Sequence, residues 1–558
     1  MRHPQPSGQP LTFTPEQRRI LPVLLIPAFV SLLAVSSVNV ILPAIAASVP
    51  TSTGGLQLVV SGYSLVFGVL LVPAGRAGDV VGRGRLFVAG LVLFGLGSLA
   101  AGVAPSILAL NLARVLMGVG SGLFNPQVTG LIQQYYAGAA RGRAFGLFGG
   151  VIGVSVAVGP LMSGALIGAL GDQWGWRSSF LVFVPFALAG AWVAWRALPP
   201  TAWGRPDAVP GAGAGGAGTG PGRGLGPDAV PGAGAGARDA AAAGEAAGRA
   251  GGSGPAPQGP AAPSGRGTRR PVDLDPVGMT LLTVATGLVM VPFMEYQRGA
   301  WVWGLLVAGL VLVAGWVAWE RRYAARGRAP MVDLSLFRVP SFAYGSLAIA
   351  VYFMGYTSIW IITAQYLQAG LGYSALASGL MGLPASVASA VGASVSGRSV
   401  TRVGRVMVLR GMVLGLVGLG ATVVVVHLNA VIALSPWWMA VTLLLLGAGQ
   451  GLVVSPNQTL SLADVPLPYA GAAGGIIQTG ERIGTAIGIS AITGLAFSVA
   501  RGSGWHTASQ VGLGAIAAVI AVSALVAWAD LRASARRDRR PPSLGQAGGV
   551  PDEPGTAV

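Results

Sequence analysis

Cysteine and lysine are both absent from this 558-residue chain, and charge of either sign is scarce. Only 9% of residues are charged, against the quarter or so usual in a soluble domain. Without cysteine there is no disulfide, no thiol nucleophile and no thiolate metal site. The three histidines do not make up for it, since His3 and His506 fall outside the apolar runs and His427 sits at the end of one. No Walker loop and no pair of catalytic carboxylates is present, so neither ATP-driven work nor enzymatic chemistry is expected, and no cofactor or metal. Alternating strands of the kind a membrane β-barrel needs are also missing.

What is abundant is apolar: 53% of the residues are hydrophobic, gathered in runs long enough to cross a hydrocarbon core of roughly 30 Å as helices. Fourteen such spans are expected, at 20–46, 56–74, 86–103, 107–132, 143–168, 178–198, 277–294, 301–319, 341–363, 374–396, 406–427, 436–459, 470–499 and 511–530. Span 1 is longer than a signal-peptide core and is followed by more spans, so it is read as a retained helix despite "AIAASVP" near residue 50.

The net charge of +17 raises the possibility of nucleic acid, and the placement of the arginines removes it. Outside residues 199–272 they gather before span 1 and between spans 2 and 3, 4 and 5, 8 and 9, and 10 and 11, with more in the tail. The opposite loops carry only Arg177, Arg298 and Arg501. This is the positive-inside pattern, and it puts both termini in the cytoplasm of a multi-pass plasma-membrane protein, as an even number of spans requires.

Residues 199–272 are rich in Gly, Ala and Pro and contain "PDAVPGAGAG" twice, a composition that cannot offset its ordering entropy and reads as a disordered cytoplasmic linker. A second repeat relates the two halves. "GVGSGL" at 118–123 returns as "GAGQGL" at 447–452, and a charged hinge flanked by Gly75 and Gly82 returns between Gly397 and Gly404. Both copies lie on the same side, so the halves are parallel repeats about an axis along the membrane normal. The expected layout is a cytoplasmic N-terminus (1–19), a six-helix bundle (20–198), the linker (199–272), an extra helix pair (277–319), a second six-helix bundle (341–530) and a cytoplasmic tail (531–558).

Several motifs resemble those of the major facilitator superfamily, in particular its fourteen-span drug:proton antiporter branch. "GRAGDVVGRGR" is similar to the superfamily's loop motif, with Gly75, Asp79, Gly82, Arg83 and Arg85 in register. "RVLMGVGSG" resembles the span 4 motif, through Arg114 and Gly118. "GVSVAVGPLMSG" resembles the span 5 motif of exporters, through Gly153, Gly159, Pro160 and Gly164. Three positions depart from the family's patterns: Ser163 replaces a glycine of the span 5 motif, Met117 stands where the span 4 motif often has glutamine, and Ala34 in "LAVSSVNVILP" stands where the branch tends to carry an acid in span 1. The resemblance implies an all-α integral membrane protein of two pseudo-symmetric bundles plus two extra helices, exporting small lipophilic molecules in exchange for protons. It also implies that Asp79 meets the cytoplasmic start of span 13 near Gly471, as a latch. A proton-independent facilitator, a specific metabolite exporter and a membrane sensor remain alternatives.

Ionisable groups inside the membrane are functional candidates by default. Glu481, mid-span at about 17 Å along its helix at 1.5 Å per residue, is the first candidate for a proton carrier. Arg482 and Arg114 are its possible partners, and a static ion pair with either is the competing reading. Asn39, Asn125, Tyr352, Tyr356, Gln365 and Gln478 are candidates for a central cavity, where Tyr352, Tyr356 and Trp360 recur at helical spacing. One acid at depth favours neutral, amphipathic or anionic substrates over dications. The lipid bilayer is the only extended partner expected, and the chain is expected to act as a monomer.

Overall fold

Thr14 starts the first helix with a capping box: its hydroxyl accepts the Gln17 amide at 3.2 Å, and the Gln17 side chain accepts the Thr14 amide at 3.1 Å. From there the computed structural model describes residues 13–204, 274–295, 299–328 and 330–538. Fifteen α-helices follow in order among these residues. They are α1 (Pro15–Ser36), α2 (Val38–Ser48), α3 (Thr53–Val81), α4 (Arg83–Gly102), α5 (Ile107–Tyr135), α6 (Gly138–Leu181), α7 (Phe183–Ala197) and α8 (Pro276–Met294). Then come α9 (Val302–Ala325), α10 (Pro340–Gln365), α11 (Ala375–Val403), α12 (Val406–Ile432), α13 (Trp438–Ser461), α14 (Ala470–Gly488) and α15 (Gly494–Asp538). Ser52, Ser106 and Ser374 cap α3, α5 and α11 through the hydroxyl alone, each accepting one backbone amide of the first turn.

Twelve helical stretches among the described residues are long and apolar enough to cross a membrane, and two of them, Gly138–Ala197 and Leu467–Arg532, run to 60 and 66 residues. Each of these two turns back at one glycine with positive φ, Gly171 (73°) and Gly504 (76°), a conformation that costs other residues dearly. Beyond the turns, Gly175 packs on Ile167 and Gly512 on Ala496. Each long stretch is therefore two antiparallel helices, an arrangement consistent with the fourteen passages expected from the sequence. Span 1 is built from α1 and α2, broken at Ser37.

Two seams join the bundles. Helix α3 packs along α14, and its repeat partner α11 packs along α6. Helices approach this closely where the facing residues lack side chains. Gly75 faces Gly471 on the first seam, and Gly397 faces Gly142 and Gly146 on the second. The extra pair lies against the first seam: Met290 of α8 covers Gly68, while Trp316, Met331 and Val332 pack with Val72 of α3 and Ile476 of α14.

Three boundaries differ from the sequence expectation. Helix α1 begins at Pro15 within the expected N-terminal tail, and α15 continues to Asp538. Residues 199–204, assigned by composition to the linker, instead form a 3₁₀ turn at Pro200–Ala202 that lies on the charged hinge. There the Trp203 carbonyl meets Gly82, and the Tyr135 and Thr201 hydroxyls are 2.7 Å apart. The rest of the linker, from 205 to 272, and tail residues 539–558 lie outside the described residues.

Candidate functional site

The charged hinge closes one face of the molecule. Asp79, near the end of α3, is 5% exposed and spans both bundles: Oδ1 accepts the Gly471 amide and Oδ2 the Ala472 amide, each at 3.0 Å. These are orphan donors of the first turn of α14, where the helix dipole also favours a negative charge. Arg83, 1% exposed, holds the same carboxylate through Nε at 3.0 Å and Nη2 at 2.8 Å. Its remaining donors reach the carbonyls of Gly130 (2.8 Å) and, in the second bundle, Leu467 (2.7 Å). Gln133 of α5 adds a bond to the Leu462 carbonyl at 3.0 Å, and Arg76 lies 5.7 Å from the Tyr469 ring centre. Gly82 has φ 117° at the α3–α4 corner, and Arg85 is exposed, reaching only the Val81 carbonyl at 3.4 Å.

The repeat of this hinge lacks the acid. With Gly75 matched to Gly397, Thr401 takes the place of Asp79 and is exposed, and the start of α6 has no side-chain cap. Arg405, matching Arg83, pairs with Asp530 inside its own bundle. The closure is therefore one-sided, made at the α3–α14 seam. Every described hydrogen bond between the bundles lies between Gly68, where Thr479 donates to its carbonyl at 3.3 Å, and the arginine-rich face.

The span 5 glycines serve two contacts. Gly142, Gly146, Gly149 and Gly153 line the seam with α11, where Gly153 meets Ser389. Gly159 sits against the break in span 1: Ser37 nitrogen and Leu33 oxygen lie within 2.9 and 3.1 Å of where its Cβ would be. Pro160 follows, and Gly164 has nothing within 4 Å of that position.

The deep polar residues divide into paired and unpaired groups. Asn125 is taken up inside the first bundle, donating to Ser31 Oγ at 3.2 Å and the Ser121 carbonyl at 3.0 Å. Tyr352 and Tyr356 stack at 5.4 Å within the second bundle, where the Tyr356 hydroxyl donates to Gln450 at 2.6 Å and Ser389 donates to the same oxygen at 2.9 Å. Gln365 is half-buried, and the side chain of Asn39 lies outside the described residues. Gln478 Nε2, Gln458 Oε1 and Glu481 Oε1, by contrast, are buried without a partner. The described ion pairs are Arg83–Asp79 and Arg405–Asp530, so Glu481 is joined to neither Arg482 nor Arg114 within 4.0 Å. Ala34, at the position of the family's span 1 acid, is fully buried.

One acid escapes the sequence reading. Glu320 lies one residue past the expected end of span 8, but α9 continues to Ala325 and leaves it 1% exposed, with neither carboxylate oxygen hydrogen-bonded. Its signal is the i, i+4, i+7 stripe Trp316, Glu320, Tyr323, all buried on one face. A groove of about 660 Å³ on α11 and α13 is lined by Leu383, Val387, Val391, Leu444 and Leu452. Its walls are apolar and include none of the hinge residues, Glu481 or the other polar candidates.

Two similar helical bundles, closed on one face by hydrogen bonds that a small rotation would break, define a membrane carrier of the alternating-access type. Residues 24–249 and 274–489 match the family model described as the Major Facilitator Superfamily, and the chain belongs to that superfamily. It is thus a membrane transporter and not an enzyme. Among its relatives is a probable actinorhodin transporter of Streptomyces coelicolor, 30% identical over 503 residues, which cover 89% of this chain and 75% of the relative. A tetracenomycin C resistance and export protein of Streptomyces glaucescens is 26% identical over 88% of this chain and 78% of its own length. The solved proton:xylose symporter XylE shares the fold with a TM-score of 0.57 at 12% identity, covering 92% of this chain and 95% of its own.

Proposed function

We propose that this transporter exports hydrophobic or amphipathic small molecules, antibiotics among them, in exchange for protons. The arginine-rich face is cytoplasmic in this reading, with both termini inside the plasma membrane, and the monomer is the working unit. The substrate class follows from relatives whose names assign them actinorhodin transport and tetracenomycin C export. The observation that carries the mechanism is the Asp79 carboxylate capping α14 across the bundles, a closure that forms or breaks as a unit.

Glu481 is the proton carrier in this scheme. A carboxylate at depth with an unpartnered oxygen is costly while charged, and the cost falls when it takes a proton. Gln458 and Gln478 offer neutral partners beside it, while Arg482 and Arg114 set the local field. A proton-independent facilitator is the second reading, favoured by Ala34 where an acid would couple the cycle.

Inverted membrane vesicles separate the two. An acid-inside gradient is expected to drive accumulation of a fluorescent lipophile, with protonophore abolishing it and Glu481→Gln leaving only gradient-independent counterflow. Accumulation indifferent to protonophore overturns proton exchange, and no movement of any lipophile overturns export.

A further inference from the structure

Two guanidinium groups share one aromatic pair deep in the spans, and neither is in a described ion pair with a carboxylate. Arg114 lies about 10 Å from the start of α5 at 1.5 Å per residue. It is 0% exposed, and Nε donates to the Val59 carbonyl at 2.9 Å. Its Cζ stands 4.3 Å from the centre of the Tyr63 ring. Arg482 arrives from the other bundle on α14 and stands 4.5 Å over Phe67. Tyr63 and Phe67 are one turn apart on α3 with ring centres 5.8 Å apart, so the two cations share one aromatic pair.

Glu481 is the one acid within electrostatic reach of the pair among the described residues, and the groups that touch Tyr63 and Arg114 are neutral. The Tyr63 hydroxyl is within 2.7 Å of Ser121 Oγ and donates to the Ser31 carbonyl at 3.2 Å, and Arg114 Nη1 touches Met117 sulfur at 4.0 Å. Glu481 adjoins Arg482 in sequence but forms no ion pair with it. An aromatic face steadies a guanidinium without cancelling its charge, and it leaves the in-plane N–H edge free for an acceptor. Arg482 is half-buried, and no described hydrogen bond uses its donors. The site also lies from mid-membrane toward the face opposite the latch, where no described hydrogen bond joins the bundles.

We propose that Arg114 and Arg482, oriented by Tyr63 and Phe67, form a subsite for the oxyanion of a lipophilic substrate, a carboxylate, sulfonate or ionised phenol. The assignment rests on the export reading and deepens it, giving the substrate its charge. Each bundle supplies one arginine, so an anion held by both bridges the seam that rocking must open. A planar guanidinium gives such an anion two parallel bonds, which a lysine cannot reproduce. A lipophilic cation meets repulsion at the same place.

Matched probes test this on the purified full chain in nanodiscs: 8-anilino-1-naphthalenesulfonate and the uncharged N-phenyl-1-naphthylamine, which share a ring system and differ by the sulfonate. Saturable binding is expected to favour the sulfonate by about tenfold or more, the equivalent of one charge-assisted hydrogen bond. Arg482→Gln is expected to erase that preference and Arg482→Lys to restore it only in part. Arg114→Gln should act in the same direction, and if it fails to fold, the half-buried Arg482 variants decide alone. Equal affinity for both probes in the wild type, or a preference unchanged in Arg482→Gln, overturns the subsite. A sulfonate preference without gradient-driven movement of either probe leaves the subsite standing and overturns the export reading instead.

Discussion

Asp79 and Gly471 are joined across the two bundles: a carboxylate oxygen at the end of α3 accepts the amide of the second residue of α14 at 3.0 Å. A side chain of one repeat thus caps a helix of the other. The same carboxylate is held by Arg83, which itself reaches the Leu467 carbonyl, so the closure has three parts that depend on one charge.

Asp79→Asn removes that charge while keeping a side chain able to cap, since Asn and Asp serve equally at helix starts. Expression and melting temperature should stay close to wild type. The closed state should lose a charge-assisted bond of about 1.5–3 kcal/mol, which shifts the population toward opening by roughly tenfold or more. The chain has no cysteine, so Thr129→Cys, which faces Gly474 on the closed side, gives a clean reporter. Maleimide should label it faster in the Asp79→Asn background, and efflux should slow. An unchanged labelling rate would remove the latch.

The glycines of span 5 and of the α11 face that packs on it should differ sharply among themselves. Gly397→Ala puts a methyl 2.8 Å from the Gly146 Cα on the α6–α11 seam, and Gly159→Ala puts one 2.9 Å from the Ser37 nitrogen at the break in span 1. Both should lower the melting temperature in detergent and reduce monodisperse protein. Gly164→Ala meets nothing within 4 Å and replaces a poor helix former with the best, worth up to about 1 kcal/mol. Its melting temperature should hold or rise. Equal effects at all three positions would contradict the packing.

The passages and the hinge were legible because each leaves a periodic or local mark: apolar runs, arginine asymmetry, and glycines spaced alike in both halves. The meeting of Asp79 with Gly471 came through family resemblance, as no local pattern links residues 392 positions apart. What the sequence hid depends on which face of a helix turns inward. Asn125 and Tyr356 look like cavity residues by spacing, yet each finds its partner inside its own bundle, at Ser31 and at Gln450. Glu320 looked like a loop residue among arginines because the apolar run ends at 319, and only the continuation of α9 buries it. Residues 199–204 share the linker's composition, and their packing on Gly82 is a tertiary contact without a sequence signature.

Glu320 should be replaceable at a gain. Neither of its oxygens is in a well-formed hydrogen bond, although the Trp316 indole and the Met331 and Val332 amides lie near, and the neighbouring Asp275 carboxylate is already engaged by the Gly278 amide at 2.9 Å and the Trp319 indole at 3.0 Å. Exchanging a buried unpaired acid for an apolar group of similar size is commonly neutral or stabilising, by about 1–4 kcal/mol. Glu320→Met should therefore raise the melting temperature, whereas Asp275→Ala should lower it by removing the cap of α8. A fall in Glu320→Met would mean that this carboxylate has an essential partner.

The two parts of the segment between the bundles should respond oppositely to deletion. Its first residues touch the latch machinery: Gln134 donates to the Thr201 carbonyl at 3.2 Å and accepts from Arg83 at 3.0 Å, and Trp203 lies on Gly82 and Gly84. Removing 205–266 leaves these contacts and a connection to α8, and a transporter should keep its efflux. Trp203→Ala alone, although far smaller a change, frees the α3–α4 corner and withdraws support from Arg83, so efflux should fall and Thr129→Cys labelling should rise. Drug-susceptibility profiles of cells carrying each variant make the comparison directly. If the long deletion abolishes resistance while the protein still reaches the membrane, the segment carries an output of its own and the chain works as a sensor.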